Sequence, residues 1–270
     1  TVLDNSTYVT AGGTVPVRRA RFKLLDTHPA PVARLGMNIP ALQRRRAALT
    51  SAVPRPILLY AGTPAPRNYP ANCWPFRASS HFLYLAGEAL DDAWLLLDGD
   101  QSTLYLHYPT RDDALWHGAS ESPAQIGTRL GCAVRPLEEL GTMRAATLAP
   151  PRLEDCLRLS EVLARDIRPR QIAAEDEPLA DAMIRTRLVQ DELAVAGIRE
   201  AVDATEAAFA AGRAHTTPGT REARVRARMI ARLMERGMTT SFGPIVSVQG
   251  EVLHNEHSRG TMAAGDLLLV

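Results

Sequence analysis

The pattern of strand and helix signals changes once along the 270 residues, at Pro150 and Pro151. Before this point, short apolar runs typical of buried strands alternate with helical segments and turn residues, which predicts one compact α/β domain. After it, alanine-rich stretches follow the helical period and strand signals are almost absent until residue 245. We therefore predict a mixed α/β (α+β) fold in three parts: an arm over residues 1–38, an α/β domain over 39–165, and a second domain over 166–270.

The apolar runs and turn residues of the first domain predict its individual elements. We predict strands at Pro56–Tyr60, Phe82–Leu85, Ala93–Leu97, Thr103–Tyr108 and Ala133–Arg135. We predict helices at Ile39–Ala52, Arg111–Trp116 and Pro123–Leu130. The turn Asp98-Gly99-Asp100 predicts that the two strands beside it form a hairpin. In the proline-rich loop before residue 76, Trp74 and Phe76 are candidates for exposed aromatic side chains.

In the second domain the predicted elements are helices followed by short strands. We predict helices at Leu153–Ile167, Leu179–Arg187 and Val189–Gly212, and one from Thr220 to about Gly237, with strands at Ile245–Val248 and from Leu267. Thr220 is the expected cap of the last helix, and Glu222 places a carboxylate in its positively polarised first turn. Because the sequence stops within an apolar strand signal, we expect the chain to be part of something longer.

Composition excludes several classes of function. The chain has 31 basic and 30 acidic residues, so it lacks the basic excess that nucleic-acid binding requires. Its longest apolar runs are four or five residues, far short of the roughly 20 of a membrane span. Cys73, Cys132 and Cys156 are odd in number and far apart, which favours free thiols in a reducing compartment. No N-terminal segment has the pattern of a signal peptide, so we expect a cytoplasmic protein.

The common catalytic motifs are absent from the sequence. There is no Walker A segment, no G-x-G-x-x-G after a strand, no G-x-S-x-G and no H-E-x-x-H. His254 and His257 are three residues apart, but Gly250 and Gly260 bracket them, which predicts a loop. A metal site based on that spacing alone has little support. Spacing alone therefore predicts a two-domain α/β protein and no particular chemistry.

Two stretches resemble a known family in order and spacing. Residues 76–87 read FRASSHFLYLAG, similar to the F-R-x-x-S-x-F-x-Y-L-x-G segment in the N-terminal domain of Xaa-Pro aminopeptidases, and Trp116-His117-Gly118 is similar to the W-x-G that follows it. Leu90-Asp91-Asp92 stands where the family often has Glu-Pro. This resemblance implies a creatinase-like α/β domain over 39–165, which in relatives contributes to contacts between subunits.

The second stretch runs from residue 187 to the end of the sequence. Residues 187–192 resemble the family's R-x-x-K-x-x-x-E segment, with Gln190 in place of the usual lysine, and residues 218–222 resemble its P-G-x-x-E. Residues 244–247 leading to His254 resemble the approach to the family's substrate-contacting histidine. Residues 265–270 resemble the segment directly before D-x-G, whose aspartate is the first metal ligand. The resemblance thus implies the beginning of a pita-bread metallopeptidase domain over 166–270.

What the resemblance implies is a metal-dependent peptidase of the aminopeptidase P and prolidase type. Its two metal ions, usually manganese, are held by two aspartates, a histidine and two glutamates, all of which we expect beyond Val270. On the residues present, we expect no metal site. His254 would hydrogen-bond the substrate near the metals as a catalytic group. For Phe242 two alternatives stay open: it lines the pocket for the first substrate residue, or it packs in the core. The implied partners are a peptide with proline in second position and further copies of the chain, as a dimer or tetramer.

Three functions stay open on the sequence. The leading one is an Xaa-Pro aminopeptidase, which releases the first residue of peptides with proline second. An Xaa-Pro dipeptidase shares the fold and metals but accepts only dipeptides. A non-catalytic pita-bread protein that serves as a binding module is the third. The segment 76–87 favours the aminopeptidase over the dipeptidase.

Overall fold

The computed structural model describes residues 9–10, 13–14 and 38–270. Most of the predicted arm over residues 1–38 therefore lies outside the described residues; within it, β1 (Val9–Thr10) and β2 (Gly13–Thr14) pair antiparallel. The further strands are β3 (Ile57–Tyr60), β4 (Trp94–Asp98), β5 (Gln101–Leu106) and β6 (Ala133–Pro136). The helices are α1 (Ile39–Ala52), α2 (Ser80–Ala86), α3 (Arg111–His117), α4 (Pro123–Leu130), α5 (Leu153–Leu163), α6 (Glu177–Leu188), α7 (Glu192–Ala214) and α8 (Glu222–Met234).

Strands β3 to β6 form one mixed sheet in chain order. β3, β4 and β5 pair antiparallel, whereas β6 runs parallel to β5 after the crossover that contains α3 and α4. Asp98 pairs with Gln101, so the predicted hairpin is confirmed, and Gly99 supplies the positive φ of +57° that its tight turn needs.

Helices cover both faces of the sheet. Side chains alternate along each strand, so that apolar groups point to both faces. In one core cluster, Ile57 and Leu59 of β3 pack against α1, α2, α4 and α6. In a second cluster, Leu58 and Tyr60 on the opposite face pack against α5. The predicted α/β architecture is thereby confirmed: a sheet lies between two helical layers.

The predicted strand at Phe82–Leu85 is wrong, because this segment lies within α2. The apolar run allows either structure, but Phe82, Leu85 and Ala86 recur at the helical period and all three are buried on one face. Gly87 ends the helix in the left-handed conformation, with φ +86°, and its N–H donates to the Leu83 carbonyl. The sheet consequently has no strand between β3 and β4.

The helices after residue 150 follow the predicted order, but the beginnings of α7 and α8 differ from the prediction. α7 begins only at Glu192, because Asp191 caps it by accepting the Ala194 N–H at 2.9 Å. Thr220 is not the cap of α8; that position is Arg221, without a side-chain cap. The Thr220 hydroxyl instead lies 2.9 Å from that of Thr217 within the preceding turn.

The predicted strands at Ile245–Val248 and from Leu267 are also corrected. Each is reduced to one antiparallel bridge, in which Ser247 and Leu269 exchange both backbone hydrogen bonds at 3.0 and 2.9 Å. A regular strand is hydrogen-bonded to a partner along its whole length. Within residues 38–270, these two segments are paired only at Ser247 and Leu269.

The predicted domain boundary between residues 165 and 166 stays a prediction. Leu179 and Met183 of α6 are buried in the same core cluster as α1, whereas α7 and α8 pack chiefly against each other. In the part of the chain that the structure describes, no helix is long and apolar enough to cross a membrane.

Candidate active site

The candidate site is built on a buried carboxylate at the start of α8. Glu222 is 1% exposed, and its two carboxylate oxygens accept the backbone N–H groups of Val248 and Gly260, each at 2.7 Å. Its own N–H donates to the Gly260 carbonyl at 3.0 Å. The positive end of the α8 dipole adds a favourable environment for this negative charge. Glu222 therefore fixes two points of the chain that are twelve residues apart.

Between these two points lies the segment 249–259, which we call the His254 loop. Gly260 at its end is required by close approach, because a Cβ there would stand 2.5 Å from Glu222 Oε1. Strand-like pairing of Arg221 with Thr261 continues the attachment beyond the loop. The ends of the loop are thus held by the body of α8.

Hydrogen bonds within the His254 loop set its course. The Asn255 amide donates to Ser247 Oγ at 2.9 Å, and Arg226 of α8 donates to the Glu256 carbonyl at 2.7 Å. The His254 carbonyl accepts the Glu256 N–H at 3.0 Å. The side chain of His254 itself is exposed. The backbone on both sides of His254 is therefore anchored, while the imidazole faces outward.

Ser258 is the strained residue of the His254 loop. It has φ +49°, which is uncommon for a residue with a side chain, and it is 2% exposed. Within the described residues its buried hydroxyl has no hydrogen-bond partner. Such a conformation and such an unpaired group each cost on the order of 1–3 kcal/mol, and both are enriched at functional sites.

Phe242 lies in a segment that runs beside the His254 loop. A Cβ on the next residue, Gly243, would stand 3.0 Å from the Glu256 carboxylate. Phe242 is 74% exposed, so it does not pack in the core that the described residues form. The two predicted site residues, Phe242 and His254, therefore lie in neighbouring segments and both have exposed side chains.

Acidic and histidine side chains near the loop do not form a metal site. Among residues 38–270, no three side chains of His, Cys, Asp or Glu are grouped as metal ligands would be. The Asp266 carboxylate is engaged in a turn, where it accepts the Ala263 N–H at 2.7 Å. The described residues thus do not fit a dinuclear metal centre on their own.

Sequence patterns indicate little of what Glu222 does. Its position in the first helical turn predicts a favourable interaction with the helix dipole, and this role needs no burial. What identifies it as a clamp is the approach of residues 248 and 260, which are far away along the chain. The one available signal was its place in the P-G-x-x-E segment, without any role attached.

Two segments of the chain match known protein families. Residues 42–152 match the family described as aminopeptidase P, N-terminal domain, and residues 196–270 match metallopeptidase family M24. Xaa-Pro aminopeptidase 1 of Streptomyces coelicolor is 28% identical over 250 residues, covering 84% of this chain and 49% of the relative. Xaa-Pro aminopeptidase 2 of the same organism is 26% identical over 278 residues, covering 93% and 55%.

Solved structures show the same fold. Pseudomonas aeruginosa aminopeptidase PepP superposes with a TM-score of 0.71 at 20% identity, covering 86% of this chain and 57% of that one. The low-pH form of Escherichia coli aminopeptidase P gives a TM-score of 0.63 at 19% identity, covering 85% and 57%.

The fold is thus an aminopeptidase P N-terminal domain followed by the first part of a pita-bread domain. In two segments the chain is thus similar to the aminopeptidase P family of metallopeptidases. It spans about half the length of the curated relatives that it matches, 49% and 55% for the two from Streptomyces.

Proposed function

We propose that this chain is part of an Xaa-Pro aminopeptidase, an enzyme that releases the first residue of peptides with proline in second position. The observation that carries the proposal is the match, in order, of the two family domains, with His254 held on an anchored loop in the second of them. The names of the Streptomyces relatives give the substrate class.

In this proposal His254 is a catalytic residue that donates a hydrogen bond to the substrate. A donor held beside the scissile carbonyl stabilises the negative charge that develops on its oxygen, provided that the donor is positioned before the reaction. The Glu222 clamp and the bonds of Asn255 and Glu256 supply that positioning. We assign to Phe242, which is exposed in the neighbouring segment, a contact with the first substrate residue.

The proposal includes two divalent metal ions, manganese by preference, held by ligands outside the residues described here. When bound, such a pair would supply a hydroxide at neutral pH and polarise the scissile carbonyl. In this proposal the described residues bind and orient the peptide.

The experiment compares the hydrolysis of three peptides by a form of the protein that carries a complete family M24 domain. With manganese added, we expect release of alanine from both Ala-Pro and Ala-Pro-Ala, and no release from Ala-Ala-Ala. Cleavage of Ala-Pro alone would replace the proposal with an Xaa-Pro dipeptidase. Binding of these peptides without cleavage, in a protein shown by elemental analysis to hold two metal ions, would replace it with a binding module.

We also propose that the protein is cytoplasmic and forms a homo-oligomer. Cys73, Cys132 and Cys156 are free thiols, which suits a reducing compartment. Trp74 is 57% exposed in the N-terminal domain, as a side chain at a subunit contact would be in a separate protomer. Phe76, which the sequence also suggested as exposed, instead packs against the first core cluster and drops out of this argument.

A further inference from the structure

A groove of about 540 Å³ lies where α1, α2 and the beginning of α7 meet. This volume is within the range of small-molecule sites, which is roughly 300–1,000 Å³. The groove is distant in sequence from the His254 loop and includes neither His254 nor Phe242 among its lining residues. Its ligand is therefore a question separate from the proposed peptidase reaction.

Two of the sequence segments singled out above meet in this groove. Arg77 and Ser80 come from the F-R-x-x-S segment, and Arg187 and Gln190 come from the R-x-x-K segment, more than a hundred residues later. Neither segment supplies a residue to the reaction proposed for His254. The fold thus brings four polar side chains from separate segments to one surface for which the proposed function has no use.

A third arginine of the groove is fully engaged. Arg45 binds both carboxylate oxygens of Asp191 at 2.6 Å, donates to the Tyr84 carbonyl at 2.9 Å and stacks on the Tyr84 ring at 4.1 Å. Hydrogen bonding to Arg45 lowers the pKa of Asp191, so this carboxylate is ionised and its charge is balanced by Arg45.

Arg77 and Arg187 are left without a balancing charge. Within residues 38–270, no carboxylate forms an ion pair with either guanidinium; Arg77 reaches Ser80 Oγ at 3.2 Å, and Arg187 lies 5.3 Å from the Tyr84 ring centre. The positive field of Arg187 also acts on a neighbouring imidazole: after burial, it is the second cause that lowers the pKa of His81. The groove therefore carries an uncompensated positive charge, which an anion would neutralise.

The rest of the groove is apolar. Leu42 of α1, Leu83 of α2, and Leu193 and Ile198 of α7 line it, and Ile198 is 54% exposed. An exposed isoleucine beside unpaired arginines favours a ligand that is anionic at one end and apolar at the other.

We propose that this groove binds an amphipathic monocarboxylate, with its carboxylate on Arg77 and Arg187 and its apolar body against Leu83 and Ile198. Arginine suits this role because its planar guanidinium donates two parallel hydrogen bonds to a carboxylate. Ser80 and Gln190 supply additional hydrogen-bonding groups at the polar end. The site joins α2 to the end of α6 and the beginning of α7.

The test uses isothermal titration of the 270-residue chain with N-acetyl-leucine, N-acetyl-leucinamide and acetate. N-acetyl-leucine should bind, and both the amide and acetate should bind at least about tenfold more weakly, a difference of about 1.4 kcal/mol. Equal binding of the acid and the amide would overturn the role of the arginines. Equal binding of N-acetyl-leucine and acetate would overturn the role of the apolar wall.

Variants locate the binding site. Arg187→Gln, Arg77→Gln and Ile198→Ser should each weaken binding of N-acetyl-leucine several-fold. Arg185→Gln is the matched control, because Arg185 is exposed on the same helix as Arg187 but pairs with Asp181 outside the groove. All four side chains are exposed, so the variants should keep the parent's circular dichroism and melting temperature. Equal affinity of the folded Arg187→Gln variant and the parent contradicts the proposal, whatever the outcome of the peptidase assay.

Discussion

At the scale of single residues, Glu222 is one of the acidic side chains that are almost fully buried, with an exposed fraction of 1%. A buried carboxylate is unfavourable unless its charge is met by hydrogen bonds. Here two backbone N–H groups meet it, and they belong to the residues that begin and end the His254 loop. The electrostatic requirement of one side chain thus determines the course of a loop that carries the proposed catalytic residue.

Replacing Glu222 by glutamine tests this clamp. One carboxylate oxygen becomes an amide NH₂ facing a backbone donor, so one N–H group loses its acceptor. We expect the free energy of unfolding to fall by about 1–3 kcal/mol, the usual effect of an unpaired buried polar group. Hydrogen exchange at Val248 or Gly260 should also become faster. Glu235→Gln, exposed and paired with Arg232 at 2.7 Å, should change neither quantity; equal effects of the two variants would rule out the clamp.

His254 provides the second prediction at this scale. In the protein with a complete family M24 domain, His254→Ala should lower kcat by roughly 10²–10³, as loss of one preorganised donor does in other enzymes. Metal content and melting temperature should stay those of the parent, because the side chain is exposed and makes no contact that holds the loop. His257→Ala in the same loop should have a much smaller effect. Turnover near the parent value, or a loss explained by missing metal, contradicts the assignment.

At the scale of elements, local patterns predicted structure well where the partner is close in the chain. The hairpin of β4 and β5 follows from the turn Asp98-Gly99-Asp100, and the predicted helix Pro123–Leu130 coincides with α4. Phe82–Leu85 was assigned wrongly because four consecutive apolar residues suit a strand or a buried helix equally well. Only the packing of Phe82 and Leu85 into one core decides between them. The clamp of Glu222 lay beyond prediction for the same reason, since its partners are 26 and 38 residues away.

The contact between α1 and the start of α7 yields a prediction with a pH dependence. Asp191 caps α7 and binds Arg45, and the exposed fraction of its side chain is 25%. We expect Asp191→Asn to lower the free energy of unfolding by about 1–2 kcal/mol, less than for a fully buried ionic hydrogen bond. Asp181→Asn, at an exposed position of α6, should have little effect on the free energy of unfolding.

The sign of the pH effect follows from the lowered pKa of Asp191. A carboxylate with a lowered pKa in the folded state stabilises the fold above its ordinary pKa of about 3.9, and this contribution is lost as pH falls through the folded value. Urea unfolding should therefore show a constant difference between parent and Asp191→Asn at neutral pH, and a shrinking one below about pH 4. A difference that grows with acidity would contradict the Arg45 pairing.

At the scale of the whole molecule, residues 39–191 and residues 192–270 bury very different amounts of apolar surface. The first of these two parts has two core clusters on the two faces of the sheet. Over residues 192–270, the buried hydrophobic side chains are Ala204, Ala208, Val225, Val246 and Met262. Larger apolar residues there are exposed, among them Phe242, Leu253 and Leu267. Residues 192–270 therefore receive a much smaller hydrophobic contribution to their stability.

Assembly of the protein is a further prediction at this scale. Trp74 is exposed in a loop that a bridge between Pro66 and Cys73 holds in place, and Arg67 stacks on its ring at 4.1 Å. An ordered, exposed tryptophan with an arginine is the kind of pair enriched at interfaces. Light scattering of the protein with a complete M24 domain should give a dimer or tetramer, and Trp74→Ala should lower the mass. Leu157→Ala, on the exposed side of α5, should not; a monomeric parent would end the idea.

The unequal cores predict unequal local stability in the 270-residue chain. Backbone amides exchange with solvent through local opening, and opening is easiest where few apolar contacts must be broken. Amides of α7 and α8 should therefore exchange faster than those of β3, β4 and β5, although the α7–α8 pair is held closely at Gly212, where a Cβ would stand 2.9 Å from Met229 Sδ. The same measurement on a protein with a complete M24 domain should show stronger protection in α7, because further chain then covers its exposed apolar residues. Equal protection of residues 39–191 and residues 192–270 in the 270-residue chain would contradict this account. It would mean that the five buried side chains of residues 192–270 stabilise α7 and α8 as well as the two core clusters stabilise the sheet.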